Sequence, residues 1–350
     1  MKGKRQNNVE VLRVLSMLLI VISHYTYYGI KGSLIHSRYD MCTAIGVLDY
    51  ITMEPMWVLS CIAVNCYVMI TGYFLINNIQ MRWNGIVRTW VLAFFYSILF
   101  LIIAIFTGQE VSKGNIATSL LPVYFDEYWF VTIYIGLLLI APFLSRMVST
   151  LNQRQYLIML SVLFVLCFQY LYGRVYAGFG TIVWFVFLYL TAGYLRLYGV
   201  PDVWARNSRK VALTVFVLLV VLATLINVAK GGEFALISSA YDGPMFFLSI
   251  AVFIFFLQHR YNGKFGSLLV KIAPYTFAVY LIHENPFVRK ILWKSVILER
   301  FYIPIIIHCL FVCIAIFGIC ISIDYFRRML FSALKIEEGI DKVCKRLPQL

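Results

Sequence analysis

Long apolar runs, separated by short polar or basic stretches, follow one another along almost the whole chain. A run of about 20 residues, rising ~1.5 Å per residue as a helix, matches the ~30 Å thickness of bilayer hydrocarbon. Runs of this kind cover 9–29, 44–76, 87–107, 129–145, 156–172, 180–196, 211–229, 236–257, 270–287 and 302–326. The second is too long for one simple crossing and is read as opening with a lateral or re-entrant piece broken near Pro55. The pattern predicts an all-α fold, a polytopic membrane helix bundle of about ten transmembrane helices. Residues 1–326 form a single membrane domain. Residues 327–350, opening with Arg327 and Arg328 and then alternating apolar with charged residues, read as a cytoplasmic amphipathic tail on the inner leaflet.

Polar positions inside the apolar runs carry more information than the runs themselves. The first run holds Arg13 and His24, with ten residues between them. Eleven steps of about 100° return to nearly the same helix face, roughly 16 Å further along. Two such groups on one stripe of a greasy helix are expected to face a shared interior. An ionisable residue within a bilayer costs at least ~2–3 kcal/mol, which makes it a functional candidate by default. The bland alternative is an arginine reaching the headgroups and a histidine satisfied in the bundle.

Composition agrees with a membrane protein. Apolar residues make up 62% of the 350 positions and charged ones 13%, too few to clothe a soluble protein of this size. Mean hydropathy is +0.84. The net charge of +14 would suit nucleic acid, but its distribution points elsewhere. With the N-terminus cytoplasmic, Lys2, Lys4, Arg5, Arg82, Arg88, Arg146, Arg154, Arg196, Arg206, Arg209, Lys210, Arg260, Lys264 and Lys271 all fall inside, as the positive-inside rule requires. Both termini are therefore expected to be cytoplasmic, with no nucleic-acid partner. Arg289, Lys290, Lys294 and Arg300 form an exterior exception, a surface for an anionic substrate or a sign of a misplaced span. Tyr25, Tyr27 and Tyr28 follow the first run as an interfacial anchor, with no small-residue cleavage site, so this run reads as a retained helix. Eight cysteines without a CxxC pair read as packing residues, and five histidines without paired spacing predict no metal site.

Three further stretches combine polar and aromatic residues. NCYVMITGYFLINN, residues 65–78, places Thr71, Gly72 and Tyr73 at the end of the second run, where Gly72 permits close backbone approach. DEYWFVTIYIGLLLIAPFL, residues 126–144, sets Glu127 beside Tyr128 and Trp129, an aromatic belt or a sugar-gripping surface. APYTFAVYLIHENP, residues 273–286, ends an apolar helix with Tyr280, His283 and Glu284.

The order of these elements resembles the acyltransferase-3 family of bacterial integral-membrane acyltransferases. The Arg13/His24 helix, TGYFL after a polar Asn, YWF and the late YLIH carry the resemblance, which runs from residue 7 to about 325. Thr71 stands where family members more often have Ser, and the usual Arg-rich, Pro-containing segment is reduced to Arg82 and Arg88. The chain looks like the stand-alone type associated with capsule, exopolysaccharide or O-antigen modification. The resemblance implies a multi-pass protein of the bacterial cytoplasmic (inner) membrane. It would move an acetyl or other short acyl group from cytoplasmic acyl-CoA to a hydroxyl of a cell-surface or lipid-linked glycan. Acetyl-CoA is then a co-substrate, with no permanently bound cofactor.

The residue types suit that chemistry. A neutral imidazole has the right basicity near pH 7 to take a hydroxyl proton, so His24 would be the general base or, alternatively, a transient acyl carrier. Arg13 suits a coenzyme A phosphate, which a guanidinium binds through two parallel hydrogen bonds, and Arg88 is a second contact. Thr71, Gly72 and Tyr73 would orient the thioester. Glu127, Tyr128, Trp129, Tyr280, His283 and Glu284 would meet the acceptor. The rival reading is a transporter or flippase of a lipid-linked sugar, which paired broken helices near the midplane would favour. The acceptor sugar and oligomeric state are not written in the residues.

Overall fold

The described parts of the ten apolar runs are largely helical, the second run in two pieces and the 270–287 run in several. The computed structural model describes residues 7–30, 44–172, 179–229, 243–259, 261, 263–296 and 303–348, and among these all regular structure is helical. The described helices are α1 (Asn7–His24), α2 (Ala44–Cys61), α3 (Ala63–Leu75), α4 (Trp83–Phe106), α5 (Lys113–Leu120), α6 (Trp129–Ser149), α7 (Gln153–Tyr172) and α8 (Phe179–Tyr198). They continue with α9 (Asp202–Ala229), α10 (Gly243–Gln258), α11 (Lys264–Ile272), α12 (Thr276–His283), α13 (Pro286–Ser295), α14 (Ile305–Ala333) and α15 (Ile336–Cys344). Among the described residues, seven helical stretches, Asn7–Tyr28, Val47–Leu75, Trp83–Phe106, Trp129–Ser149, Asp202–Ile226, Lys264–His283 and Ile305–Ala333, are long and apolar enough to cross a membrane. Gln153–Cys167, Ile182–Tyr198 and Gly243–Gln258 are shorter apolar helices. The start of the 236–257 run lies outside the described residues, as do Lys2, Lys4, Arg5, Arg260 and Arg300.

Two details differ from the sequence reading. Pro55 sits within α2, and the interruption of the long second run comes at Ile62, between α2 and α3. The 108–127 connection also carries α5, opened by a reciprocal capping pair in which Ser112 Oγ accepts from Asn115 N–H while Asn115 Oδ1 accepts from Ser112 N–H. Gly108, with φ of +70°, turns the chain out of α4, a left-handed conformation that glycine adopts without steric cost.

The chain divides into two compact units. The first comprises Met1–Ile70, Gly199–Thr276 and Leu292–Ile319. Here α1 packs against α2, α10 and α11, and α9 packs against α10 and α2. Val9, Leu12, Val14, Met17 and Val21, spread around the circumference of α1, are all buried, so α1 is a core helix. By contrast α9 exposes Leu213, Val217, Leu218, Val221, Leu222 and Leu225, an apolar surface that acyl chains can solvate. Side-chain hydrogen bonds tie the helices together where water is absent. Asn8 Nδ2 donates to the Phe256 carbonyl at 2.7 Å, satisfying an end carbonyl of α10. Asn65 Nδ2 donates to Ser249 Oγ at 3.0 Å, and Asp49 Oδ1 accepts from the N–H of Ile305, the first residue of α14, at 2.9 Å.

The second unit comprises Thr71–Tyr198, Phe277–Ile291 and Cys320–Leu350. Here α4 packs on α5, α6 and α15, while α8 packs on α6 and α7. A β-carbon on Gly72 would lie 2.2 Å from the carbonyl oxygen of Tyr189, so α3 and α8 approach backbone to backbone. The Tyr189 hydroxyl bonds Ser145 Oγ at 3.0 Å, and Ser145 Oγ donates to the Leu75 carbonyl at 3.3 Å. A charged knot fastens α4 to α14. Asp324, fully buried, accepts from Tyr96 O–H at 2.9 Å and pairs with Arg327 at 2.7 Å and Arg328 at 3.0 Å. Arg327 also lies 4.7 Å from the centre of the Phe331 ring. This knot holds Arg327 and Arg328 in α14, which runs on past residue 326 to Ala333. Beyond it, α15 buries Ile340 and Cys344 and packs on α4.

The close approach at Gly72 gives a direct test. Gly72→Ala is expected to lower the melting temperature of the detergent-solubilised protein, at a cost of about 1–3 kcal/mol for overpacking against an immovable carbonyl. Gly85→Ala, where an added β-carbon meets nothing within 4 Å, is expected to be neutral or slightly stabilising.

Candidate active site

The first group of candidate residues lies on α1. Arg13 pairs with Glu10 at 3.0 Å, one turn earlier, and Glu10 is buried while Arg13 is partly open. The Glu10 carboxylate neutralises part of the arginine and holds its fork in a fixed direction. His24 is the last α-helical residue and is half-buried. The chain then switches to a π-helical segment, Tyr25–Ile30. Segments with this wider hydrogen-bond spacing are rare and often sit at functional sites. Within it Tyr28 places its ring 5.8 Å from the His24 imidazole.

The second group forms in the other unit, where the turn before α6 meets the end of α12. Tyr280 packs its ring against Tyr128, Phe130 and His283, with centroids 5.7 to 6.3 Å apart. His283 is fully buried, and its Nδ1 lies 2.6 Å from the Val279 carbonyl. A carbonyl can only accept, so Nδ1 carries the proton and the basic lone pair belongs to Nε2. Glu284, also buried, pairs with Arg289 at 3.3 Å. Trp129 is half-buried and meets the rings of Phe130 and Phe185.

Asn285 organises this second group. It precedes Pro286, the first residue of α13, and its Oδ1 accepts from the Phe287 N–H at 3.0 Å. That is the N-cap arrangement, with proline at the position where no amide donor is needed. The cap fixes the amide's orientation, so Nδ2 faces the other way, donating to Tyr128 Oη at 2.9 Å and to Glu127 Oε1 at 3.4 Å. Glu127 Oε2 accepts from Ser97 O–H. Burial pushes the Glu127 carboxyl above the ordinary carboxylate range, and the Ser97 bond pulls part of the way back. Burial, followed by the neighbouring Glu127 charge, holds the Tyr128 phenol well above its ordinary value, so Tyr128 stays protonated.

Thr71, Gly72 and Tyr73 form a third set. Thr71 Oγ1 bonds Tyr134 Oη at 3.1 Å, Gly72 seats α3 on α8, and Tyr73 lies beneath the Arg196 guanidinium at 5.0 Å. Arg88 stands apart from these. Its guanidinium pairs with Glu337 and Asp341 of α15, each at 3.0 Å.

A helical membrane bundle with an ionisable stripe on its core helix, and a buried histidine with carboxylates beside aromatic rings, has the makings of a group-transfer catalyst. The comparison with known families agrees. The acyltransferase-3 model, described as an acyltransferase domain, matches residues 6–325, and the chain belongs to that family of membrane acyltransferases. No curated protein and no solved structure shows significant similarity to the chain.

Sequence reasoning passed over Asn285, Ser97, Arg196 and the Asp324 knot. The Asn-Pro step after an apolar helix was a legible start signal for α13. Nothing in the sequence could show that the same amide reaches Glu127, which is 158 positions away.

Two outcomes are expected at this cluster. Asn285→Leu removes the donor to Tyr128 and Glu127 and uncaps α13, so thermal melting should reveal a loss of about 1–3 kcal/mol. The raised Glu127 carboxyl favours the protonated folded state. Its contribution to stability is therefore full below the ordinary carboxyl value and is lost as pH rises through the raised one. Glu127→Gln should flatten the dependence of melting temperature on pH across that window.

Proposed function

We propose that this membrane acyltransferase moves an acetyl, or another short acyl group, from cytoplasmic acyl-CoA to a hydroxyl of a cell-surface or lipid-linked glycan. The observation that carries the reading is α1, a largely buried apolar helix that carries the ionisable residues Glu10, Arg13 and His24. Such groups are costly to insert and are retained where they act. Family membership supports acyl transfer as that action.

In this reading the acceptor oxygen attacks the thioester carbonyl carbon while the His24 imidazole takes the hydroxyl proton. The C–S bond then breaks, and the coenzyme A thiolate leaves and takes up a proton. If His24 is instead the acyl carrier, the imidazole nitrogen attacks first and the glycan hydroxyl attacks the acyl-imidazole in a second step. Arg13, aimed by Glu10, binds a phosphate of the donor from the cytoplasmic side, with Arg88 as a second contact once α15 releases it. Thr71, Gly72 and Tyr73 orient the thioester. Glu127, Tyr128, Trp129, Tyr280, His283 and Glu284 present aromatic faces and carboxyl groups to the acceptor, a combination suited to sugar hydroxyls. Both termini are assigned to the cytoplasm and the protein to a bacterial inner membrane.

The test uses the full chain in liposomes, with radiolabelled acetyl-CoA and a glycan extract of the source cell as acceptor. Label should appear on lipid-linked or polymeric glycan with the wild type. His24→Ala should reduce transfer by about 10²-fold or more, the usual worth of a positioned base. Arg13→Ala should chiefly raise the KM for acetyl-CoA. Wild-type transfer by His24→Ala would overturn the assignment of His24.

A further inference from the structure

The turn that carries His24 is held from the far end of the chain. Tyr25, the residue after His24, is buried, and its hydroxyl lies 2.8 Å from Nδ1 of His308, a buried residue in the first turns of α14. The Tyr25 ring also meets Trp293 of α13 edge-on, with centroids 6.3 Å apart. Trp293 in turn stacks on Tyr28 at 6.2 Å with 26° between the ring planes, and Tyr28 packs against the His24 imidazole at 5.8 Å. The contacts therefore form a closed circuit. They leave His24 through Tyr28, cross Trp293 to Tyr25, and return along the backbone to His24, with His308 anchoring Tyr25 from outside.

A π-helical turn by itself does not fix a side chain in one place, because its wider hydrogen-bond ladder is less favourable than the α-helical one. A buried hydroxyl–imidazole bond is directional, and leaving either partner unmet in an apolar interior is costly. Tyr25 meets His308 with the turn in its π-helical register. The same turn carries Tyr28, whose ring packs against the His24 imidazole. We propose that His308 is a positioning residue, which locks the Tyr25–Ile30 turn through Tyr25 and thereby fixes the His24 imidazole for acyl transfer. The inference rests on the reading of His24 as the acting histidine.

The test compares full-length wild type with Tyr25→Phe, His308→Leu, His308→Asn and His24→Ala in liposomes. Asparagine carries a polar atom near the position of imidazole Nδ1 and can meet the Tyr25 hydroxyl, whereas leucine cannot. Two readings are taken. The first is the rate at which diethylpyrocarbonate modifies His24, followed by peptide mass spectrometry, which needs no substrate. The second is kcat and KM for radiolabelled acetyl-CoA with the source-cell glycan extract. His308→Leu and Tyr25→Phe should change the His24 modification rate about threefold or more. They should also lower kcat about tenfold, with KM for acetyl-CoA nearly unchanged, while His308→Asn recovers most of both. An unchanged His24 modification rate in His308→Leu overturns the proposal, and so does equal damage in His308→Leu and His308→Asn. His24→Ala retaining full transfer overturns the underlying reading instead. An inactive His24→Ala beside fully active His308 variants overturns the positioning role alone.

Discussion

Hydrocarbon offers no hydrogen bonds, so a polar group carried into the interior is costly unless another part of the chain meets it. That constraint explains the structure's most specific contacts. Asp324 sits between a tyrosine and two arginines, Glu10 holds Arg13, and Asn8 closes the end of α10. Each bond joins groups that would be expensive alone, and those that run between helices, Tyr96 to Asp324 and Asn8 to the Phe256 carbonyl, constrain which helices can be neighbours. Leucine and phenylalanine supply bulk on every face and discriminate little among packings, because lipid tails are as apolar as they are. The polar minority decides the arrangement.

Asn285 shows how one side chain serves fold and site at once. Its oxygen starts α13, and the geometry of that cap obliges its nitrogen to face Glu127 and Tyr128. The cluster around it contains a carboxyl raised by burial, a phenol held protonated and a histidine whose tautomer is set by a backbone carbonyl. Each of these states follows from a neighbour rather than from the residue type.

The α1 helix plays the corresponding part in the other unit. Most of its residues are buried, with Arg13 and His24 partly open, and the π-helical turn after His24 is gripped by the Trp293 ring of α13 and an imidazole from α14. Arg88, by contrast, is half-open and engaged with the acidic face of α15, so its availability to a ligand depends on that helix.

Much of this was legible in the sequence. Helix positions followed from hydropathy and length, because the bilayer imposes a fixed span and the α-helix a fixed rise. The apolar run placed Arg13 and His24 on one helix, and the family followed from the order of short polar elements within apolar runs. Local signals had limits even here. Pro55 suggested a break that the structure places at Ile62, because proline can be housed within a buried helix when its neighbours hold the backbone. What only tertiary structure decided were the long-range partners, Tyr25 with His308, Ser97 and Asn285 with Glu127, and Tyr96 with Asp324. Pairings over such separations leave no periodic trace in the chain. They are settled by which helices pack together, and that choice is made by the polar groups that must find one another in a medium without water.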